Sequence, residues 1–416
     1  MTFRTFIGKR NALIGSTFLA AWLLPKAVSM VTLSNTAPVA LFFIAIGSTA
    51  VAVIANLNFA SSKHLYLLGL LLFPLLFASS ILSYLLFNDT KPLFSAVPLI
   101  ISVFLGIVLG ENYCHLTAQR ARSLATSISI SLLAIGWCSI LFDTRFGNYA
   151  LLAKPVFPFP EESHFALALG PILIGTLLAG LDRATKSAII LSSLALSAIF
   201  PNVTLLAFCI LAIIVSALVS RGVTTKIFAI IATFLATTIL IFTLSNDALN
   251  YFTVRLAFWE SENLSALVYA QGWSDMWIAL KETYGLGLGF QRMGSIECSE
   301  LCMRIYALAG EYKNREDGSF LASKLISEFG VFGVAAIIYY IYSFFSFASN
   351  KTLMQNEKAR IALGIYTGFL VELFVRSFGY FSPNIIILAL SFFSLRKMHK
   401  KTGLENQKLC LGSNLT

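Results

Sequence analysis

The interval from Tyr251 to Asp317 reads YFTVRLAFWESENLSALVYAQGWSDMWIALKETYGLGLGFQRMGSIECSELCMRIYALAGEYKNRED. It contains three of the five tryptophans, two of the six cysteines and a dense set of charged side chains. Long apolar segments lie on both sides of it. It is the only long interval of the sequence that does not resemble a membrane-spanning helix. We therefore expect any chemistry to occur within this stretch or against it.

The composition is that of a membrane protein. Hydrophobic residues make up 57% and charged residues 12% of the 416 positions, whereas soluble domains carry about 25% charged residues. The net charge of +10 would suit nucleic acid, but Lys and Arg also accumulate in the cytoplasmic loops of membrane proteins. We therefore expect no nucleic-acid partner. Six cysteines without a CxxC pair and four histidines do not favour zinc, and we expect no metal ion and no cofactor.

The apolar segments predict the fold class. A spanning helix needs about 20 mostly apolar residues, and we expect an all-α polytopic membrane protein with about 12 transmembrane helices and a large loop between helices 9 and 10. The first segment has no small-residue cleavage pattern and is expected to be retained. The candidate spans are 11–32, 36–57, 65–87, 92–110, 123–142, 164–181, 186–200, 202–220, 227–245, 318–348, 360–379 and 382–396.

The distribution of Lys and Arg predicts the orientation. With the N-terminus inside and the segments alternating, every inside connector carries cations, whereas the short outside turns carry one lysine between them. Both termini are then cytoplasmic. The predicted divisions are helices 1 to 9 in 1–250 with a small outside loop at 143–163, the large outside loop at 251–317, helices 10 to 12 in 318–396, and a cytoplasmic tail at 397–416.

The tenth segment is longer than a bilayer requires. As one helix, 318–348 would extend roughly 46 Å at about 1.5 Å per residue, against a hydrocarbon core of about 30 Å. We therefore expect its first turns to stand above the membrane. There Lys324 and Glu328 either project into a cavity or form an i, i+4 salt bridge.

The small outside loop ends in a cluster of ionisable residues. Three prolines and a glycine argue against a continuous helix in 143–163, and Glu161, Glu162 and His164 follow at the mouth of the sixth helix. A carboxylate or an imidazole there can take a proton from a hydroxyl. The alternative is that Glu161 to Ser163 cap the helix N-terminus.

Glu372 and Arg376 lie four residues apart inside the eleventh apolar segment. Ionisable side chains are costly in a membrane and usually face a cavity. Their spacing is consistent both with a ligand site and with a structural ion pair.

The large loop contains two further motifs. The glycines of GLGLGF at 285, 287 and 289 superficially match a dinucleotide fingerprint, but they follow no strand of a βαβ unit. We reject nucleotide binding and expect a backbone turn near a ligand. Cys298 and Cys302 lie in the same loop, where a disulfide is able to form, and the sequence leaves open whether it does.

Three runs of sequence together resemble a known family. LVYAQGWSDMWIALKETYGLGLGFQRMGS (267–295) and DGSFLASKLISEFGVFGVAAII (317–338) are similar to the late periplasmic loop and following helix of bacterial O-antigen polymerases of the Wzy type. RFGNYALLAKPVFPFPEESHFALALGP (145–171) resembles the earlier periplasmic loop of that family. These runs cover about a quarter of the chain, and the wider O-antigen ligase and polymerase superfamily shares part of them.

The resemblance implies an activity. The chain would transfer an oligosaccharide from an undecaprenyl diphosphate donor to an acceptor sugar, without a metal or a nucleotide sugar, at the bacterial inner membrane. The ligase branch carries a histidine at the start of the helix after the large loop, whereas this chain has Asp317 there. That difference favours polymerase over ligase and leaves the general base unassigned.

Candidate residues follow from this chemistry. Arginine suits a diphosphate because its guanidinium is always charged and donates two parallel hydrogen bonds. The candidates for diphosphate binding are Arg255, Arg292 and Arg376, with Arg145 as a fourth. The candidates for the catalytic base are Glu161, Glu162 and His164, followed by Asp317.

The implied partners are an undecaprenyl-diphosphate-linked oligosaccharide, membrane lipids and a chain-length regulator protein. An O-antigen ligase is the alternative within the same chemistry, and a polysaccharide-precursor transporter is the alternative from another class. A transporter is expected to carry charges deep in several helices and matching broken helices in two halves. Here the charges gather at one face, which favours the transferase.

Overall fold

The structure is a computed structural model that describes residues 13–25, 47, 74, 76–85, 87–142, 156–159, 161–200, 202–219 and 263–413. Within these ranges the chain is helical and forms no β-strand. The predicted spans 36–57 (apart from position 47) and 227–245 lie outside the described residues, as do parts of 11–32 and 65–87. The description therefore does not extend to the predicted total of about 12 spans.

The described helices are labelled here in chain order. Those before the large loop are α1 Leu13–Pro25, α2 Leu76–Leu85, α3 Lys91–Cys114, α4 Ala118–Leu141, α5 Glu162–Leu178, α6 Arg183–Ile199 and α7 Val203–Val219. Those in the large loop and after it are α8 Leu264–Glu282, α9 Glu300–Ala309, α10 Leu321–Phe329, α11 Val331–Ser349, α12 Lys351–Gln355, α13 Glu357–Phe374 and α14 Asn384–Ser413.

Helix α5 lies at the centre of the bundle and is buried on nearly all sides. It packs against α4, α7 and α13. Small residues allow the closest approach, because a Cβ added at Gly364 of α13 would lie 2.7 Å from the Gly175 Cα atom of α5. Close contacts between small residues are typical of helix pairs in membranes, where apolar surface alone provides little driving force for association.

Three of the described helices are long and apolar enough to cross a membrane, namely α3, α4 and α11. Helix α11 exposes a row of large apolar side chains, including Phe332, Ile338 and Phe345. Such a row on a helix surface suits contact with lipid. These features are those of an α-helical protein associated with a membrane.

The prediction of one long tenth helix over 318–348 is wrong. Helix α10 ends at Phe329 and α11 begins at Val331. Gly330 between them has φ 53° and ψ −129°, a backbone conformation that favours glycine. A Cβ at Gly330 would lie 1.9 Å from the Gly285 carbonyl oxygen, which accepts a hydrogen bond from Val331 N at 2.9 Å. The break therefore depends on a contact with the distant glycine run.

The described part of the large loop is mostly helical. Asn263 caps α8 by accepting hydrogen bonds from Ser265 N and Ala266 N. Cys298 and Cys302 form a disulfide at the start of α9, which answers the question that the sequence left open. Helix α8 packs on both α9 and α10. The loop thus forms a helical layer over one end of the bundle. At the C-terminus, α14 continues past the predicted end at 396 as far as Ser413.

Candidate functional site

Glu161, His164 and Arg376 meet where α5 begins and α13 has just ended. The Arg376 guanidinium donates to Glu161 Oε2 at 3.0 Å, and His164 Nε2 lies 3.6 Å from the same oxygen. Glu161 occupies the N-cap position but makes no side-chain capping hydrogen bond. The alternative that Glu161 caps the helix is therefore wrong, since its carboxylate faces Arg376.

A segment after α13 connects this group to the start of α10. Ser377 N donates to the Ser319 carbonyl oxygen at 2.9 Å, and the Phe378 ring lies 3.9 Å from the His164 ring, centre to centre. A Cβ added at Gly379 would lie 3.1 Å from Asp317 Oδ1 and 3.5 Å from Lys324 Cδ. The connector that carries Arg376 is therefore packed directly against Asp317 and Lys324.

Lys324 is at the centre of a second group of polar side chains. Only 1% of its side chain is exposed, and its ammonium lies 3.3 Å from Asp317 Oδ1 and 3.6 Å from Glu328 Oε1. It also donates to Gln291 Oε1 at 3.4 Å and to the Glu316 carbonyl oxygen. The contact with Glu328 corresponds to the i, i+4 salt bridge that the sequence suggested. We call the helix ends that carry Glu161, His164, Asp317, Lys324 and Arg376 the polar end.

The glycine run packs beneath this second group. Leu288 N donates to the Ser327 carbonyl oxygen and Gly289 N to the Glu328 carbonyl oxygen, each at 2.9 Å. A Cβ at Gly287 would lie 2.5 Å from the Glu328 carbonyl oxygen. The glycines thus allow the loop backbone to lie directly against α10. The predicted backbone turn is present, and it positions Lys324 and Glu328.

Arg292 extends from the glycine run toward the end of α2. Its guanidinium carbon lies 3.3 Å above the centre of the Phe87 ring, a cation–π contact. Burial lowers the pKa of Arg292, and the nearby Asp89 carboxylate opposes that change. Next to it, Lys91 at the start of α3 donates to the Glu316 carboxylate and holds the pKa of that carboxyl below its usual value.

The remaining predicted site residues are placed differently. Glu162 is buried in the first turn of α5, where its carbonyl oxygen accepts from Asn202 Nδ2 at 2.7 Å. Arg145 and Arg255 lie outside the described residues. The structure therefore brings Glu161, His164 and Arg376 together. Asp317 lies nearby, in contact with Lys324. Arg292 instead contacts the Phe87 ring.

Neither Gln291 nor Tyr380 was predicted from the sequence to be a site residue. Gln291 accepts from Lys324, and the Tyr380 ring lies 5.4 Å below the Lys324 ammonium. Gln291 adopts φ 61°, a left-handed conformation that is unusual for a residue with a side chain. Its position two residues after the last glycine of the run was the one signal in the sequence that pointed to it.

The opposite end of the bundle also carries charged residues, but they bind each other and the main chain. Arg122 makes two hydrogen bonds of 2.6 Å to Glu357, which also accepts from Gly180 N. Lys358 donates to the carbonyl oxygens of Cys114 and Leu116, each at 2.8 Å. We call the turns around these residues the opposite end. The connectors that the sequence assigned to one side of the membrane meet here.

No protein-family model, curated protein or solved structure matches this chain. Among the residues that the structure describes, no three His, Cys, Asp or Glu side chains come together as a metal centre would require. The geometry of the polar end is therefore the main indication of function in this chain.

Proposed function

We propose that this chain is an inner-membrane glycosyltransferase that polymerises lipid-linked O-antigen or similar surface-polysaccharide repeat units. The proposal depends mainly on one observation. Arg376, paired at 3.0 Å with the half-exposed Glu161, sits on a connector that is hydrogen-bonded to the loop carrying Asp317 and packed against Lys324. Two cations and two carboxylates thus line one end of an apolar bundle, where a lipid-borne diphosphate would meet them.

The cations suit the leaving group of the proposed reaction. Arg376 and Lys324 are held in place by the fold, and fixed cations stabilise charge that develops in a transition state. Their carboxylate partners Glu161 and Asp317 are exposed by 54% and 57%. A diphosphate is therefore able to replace Glu161 on Arg376. The buried Lys324 would contribute its positive charge from behind Asp317. Arg292, Arg255 and Arg145 remain the further candidates for contacts with the diphosphate.

Glu161 and His164 suit the role of base. In the proposed step, the hydroxyl oxygen of the acceptor sugar attacks the anomeric carbon of the donor, and the bond from that carbon to the diphosphate oxygen breaks. The hydroxyl proton passes to the His164 imidazole, with the Glu161 carboxylate 3.6 Å away to stabilise the imidazolium. Asp317 and the buried Glu162 are the other candidates. The lipid diphosphate leaves with the electron pair.

The polar end would then face the periplasm, with both termini in the cytoplasm. The cation-rich connectors of the opposite end would lie inside, as expected for membrane proteins. The substrates would be undecaprenyl-diphosphate-linked oligosaccharides that approach laterally from the membrane. A chain-length regulator would be a protein partner.

The test is the surface-polysaccharide profile of a bacterial strain in which the gene for this chain is deleted. We expect the deletion strain to carry single repeat units on the lipid core, and the wild-type gene to restore the ladder of longer chains. Bare core with long polymer accumulating on its lipid carrier would instead identify a ligase. Bare core with unpolymerised lipid-linked units retained inside the cell would identify a transporter. Either of these results would overturn the polymerase assignment.

A further inference from the structure

Glu372 lies in the last turn of α13 and is completely buried. The spacing of Glu372 and Arg376 in the sequence was consistent with an ion pair between them. In the structure, α13 ends at Phe374 and Arg376 faces Glu161 instead. Among the described residues, no Lys or Arg forms an ion pair with Glu372. A buried carboxylate without a compensating charge is costly, and the cost is larger within a membrane.

Polar groups from the start of α14 and its connector surround this carboxyl. The hydroxyls of Ser377 and Ser382 and the amide of Asn384 lie beside it, and all three residues are buried. Each serine oxygen already accepts a main-chain hydrogen bond, from Gly379 N at 2.9 Å and from Asn384 N at 3.2 Å. Asn384 Nδ2 donates to the Leu167 carbonyl oxygen at 3.0 Å, which fixes the orientation of the amide.

The decisive feature is a fully buried carboxylate that has oxygen-bearing side chains around it but no cation among the described residues. Within the described structure, both carboxylate oxygens of Glu372 and Oδ1 of Asn384 lack a hydrogen-bond partner. Three acceptors are therefore gathered in a buried site. Buried acceptors are ordinarily paired, because leaving one unpaired is unfavourable. A bound cation would satisfy all three acceptors at once.

We infer that Glu372, Asn384, Ser377 and Ser382 form a binding site for one monovalent alkali cation, of the sodium class. Oxygen atoms alone make up this set of ligands, which suits a hard cation. One carboxylate balances one positive charge, whereas calcium sites generally supply several carboxylates. The cation would join the end of α13 to the start of α14 and so hold the connector that carries Arg376. The inference goes beyond the proposed function and does not require it.

The test measures binding of radioactive sodium to the purified full-length chain in lipid nanodiscs. We expect saturable binding of about one ion per chain. Glu372→Gln should abolish this binding, because the amide has no charge to balance the ion, whereas Glu282→Gln at an exposed position should leave it unchanged. Potassium chloride should compete for the site, and choline chloride at equal ionic strength should not.

A second readout uses the wild-type protein and so does not depend on the folding of a variant. Replacing choline chloride by sodium chloride at constant ionic strength should raise Tm by several degrees, because the folded state alone binds the ion. Absence of saturable sodium binding to the wild-type chain would overturn the inference and would indicate a protonated Glu372. Sodium binding that persists in Glu372→Gln would overturn it as well. Neither result bears on the polysaccharide profile of the deletion strain.

Discussion

At the opposite end, Lys358 donates to two main-chain carbonyls and Arg122 donates twice to Glu357, with bonds between 2.6 and 2.8 Å. At the polar end, Arg376 and Lys324 face the carboxylates of Glu161 and Asp317 across 3.0 and 3.3 Å, and both carboxylates are more than half exposed. At the opposite end, short hydrogen bonds to main-chain carbonyls and to a packed carboxylate hold the turns between the helices in place. The contact of the partly exposed Arg376 with an exposed carboxylate leaves a cation that an anionic ligand can capture. Lys324 differs, because its side chain is buried and it also donates to the Glu316 carbonyl oxygen.

The backbone differs in the same way between the two ends. Most of the described residues with positive φ, such as Gln291, Ser319 and Gly379, lie in the large loop or in the connectors of the polar end; the others are Gly330 between α10 and α11 and Asn88 between α2 and α3. The described connectors of the opposite end, 115–117, 179–182 and 350–356, contain none. Residues in unusual backbone conformations are concentrated at functional sites, where the surrounding structure must hold them. The polar end is therefore the end at which the backbone adopts energetically unfavourable conformations.

The largest expected effect follows from removing the cation of the polar end. Arg376→Ala should reduce polymer formation by about 100- to 1,000-fold, the range found when a group that stabilises transition-state charge is removed. The exposed Arg304 belongs to the same covering loop and provides the matched control, Arg304→Ala. Polymer length and amount in the complemented deletion strain would be compared at equal protein levels. A normal ladder from Arg376→Ala would show that this arginine does not hold the diphosphate.

A smaller effect is expected from a change at the break between α10 and α11. Gly330→Ala should lower the free energy of unfolding by about 3 kcal/mol, because the added Cβ meets the Gly285 carbonyl and the φ of 53° is strained. Gly310 also has a positive φ but has no atom within 4 Å of an added Cβ. Gly310→Ala should therefore cost only about 1 kcal/mol. Denaturation of both purified variants would measure the difference, and equal costs would contradict the role given to the Gly285 contact.

The smallest effect is expected at the opposite end. Glu357→Gln should lower the free energy of unfolding by about 1–2 kcal/mol at neutral pH and leave polymer formation per folded molecule unchanged. The Arg122 guanidinium holds the pKa of the Glu357 carboxyl below its ordinary value of 4.5. Because the folded-state pKa is lowered, this stabilisation is present above pH 4.5 and is lost as the pH falls through the folded value.

The difference in stability between wild type and Glu357→Gln should therefore shrink on acidification. Thermal unfolding between about pH 3 and pH 7 would follow it, with Glu282→Gln as the control at an exposed glutamate. A difference that stays constant across this range would show that the ion pair with Arg122 does not contribute. A loss of polymer per folded molecule would show that the opposite end is not purely structural.

Much of the helical framework could be predicted from apolar length alone. The predicted spans 92–110 and 186–200 correspond to α3 and α6 with shifts of a few residues. The break at Gly330 could not be predicted, because it requires the Gly285 carbonyl from a loop 45 positions earlier in the chain. A glycine inside an apolar run is otherwise compatible with a continuous helix.

The candidate site was predictable only in its local parts. The pairs Glu161–His164 and Lys324–Glu328 are three and four residues apart, so helical spacing brings each pair together. The contact between Arg376 and Glu161 joins residues 215 positions apart, and the docking of Ser377 on Ser319 depends on the packing of α13 against α10. Sequence spacing contains no information on either contact.

The central claim is that Arg376 at the polar end is able to exchange its carboxylate partner Glu161 for a lipid diphosphate. The most direct measurement is the binding of purified undecaprenyl diphosphate to the full chain in nanodiscs, with wild type, Arg376→Ala and Glu357→Gln in parallel. We expect saturable binding that weakens about 10-fold or more in Arg376→Ala, a loss of at least about 1.4 kcal/mol, and is unchanged in Glu357→Gln. Equal affinity of the wild type and Arg376→Ala would contradict the account.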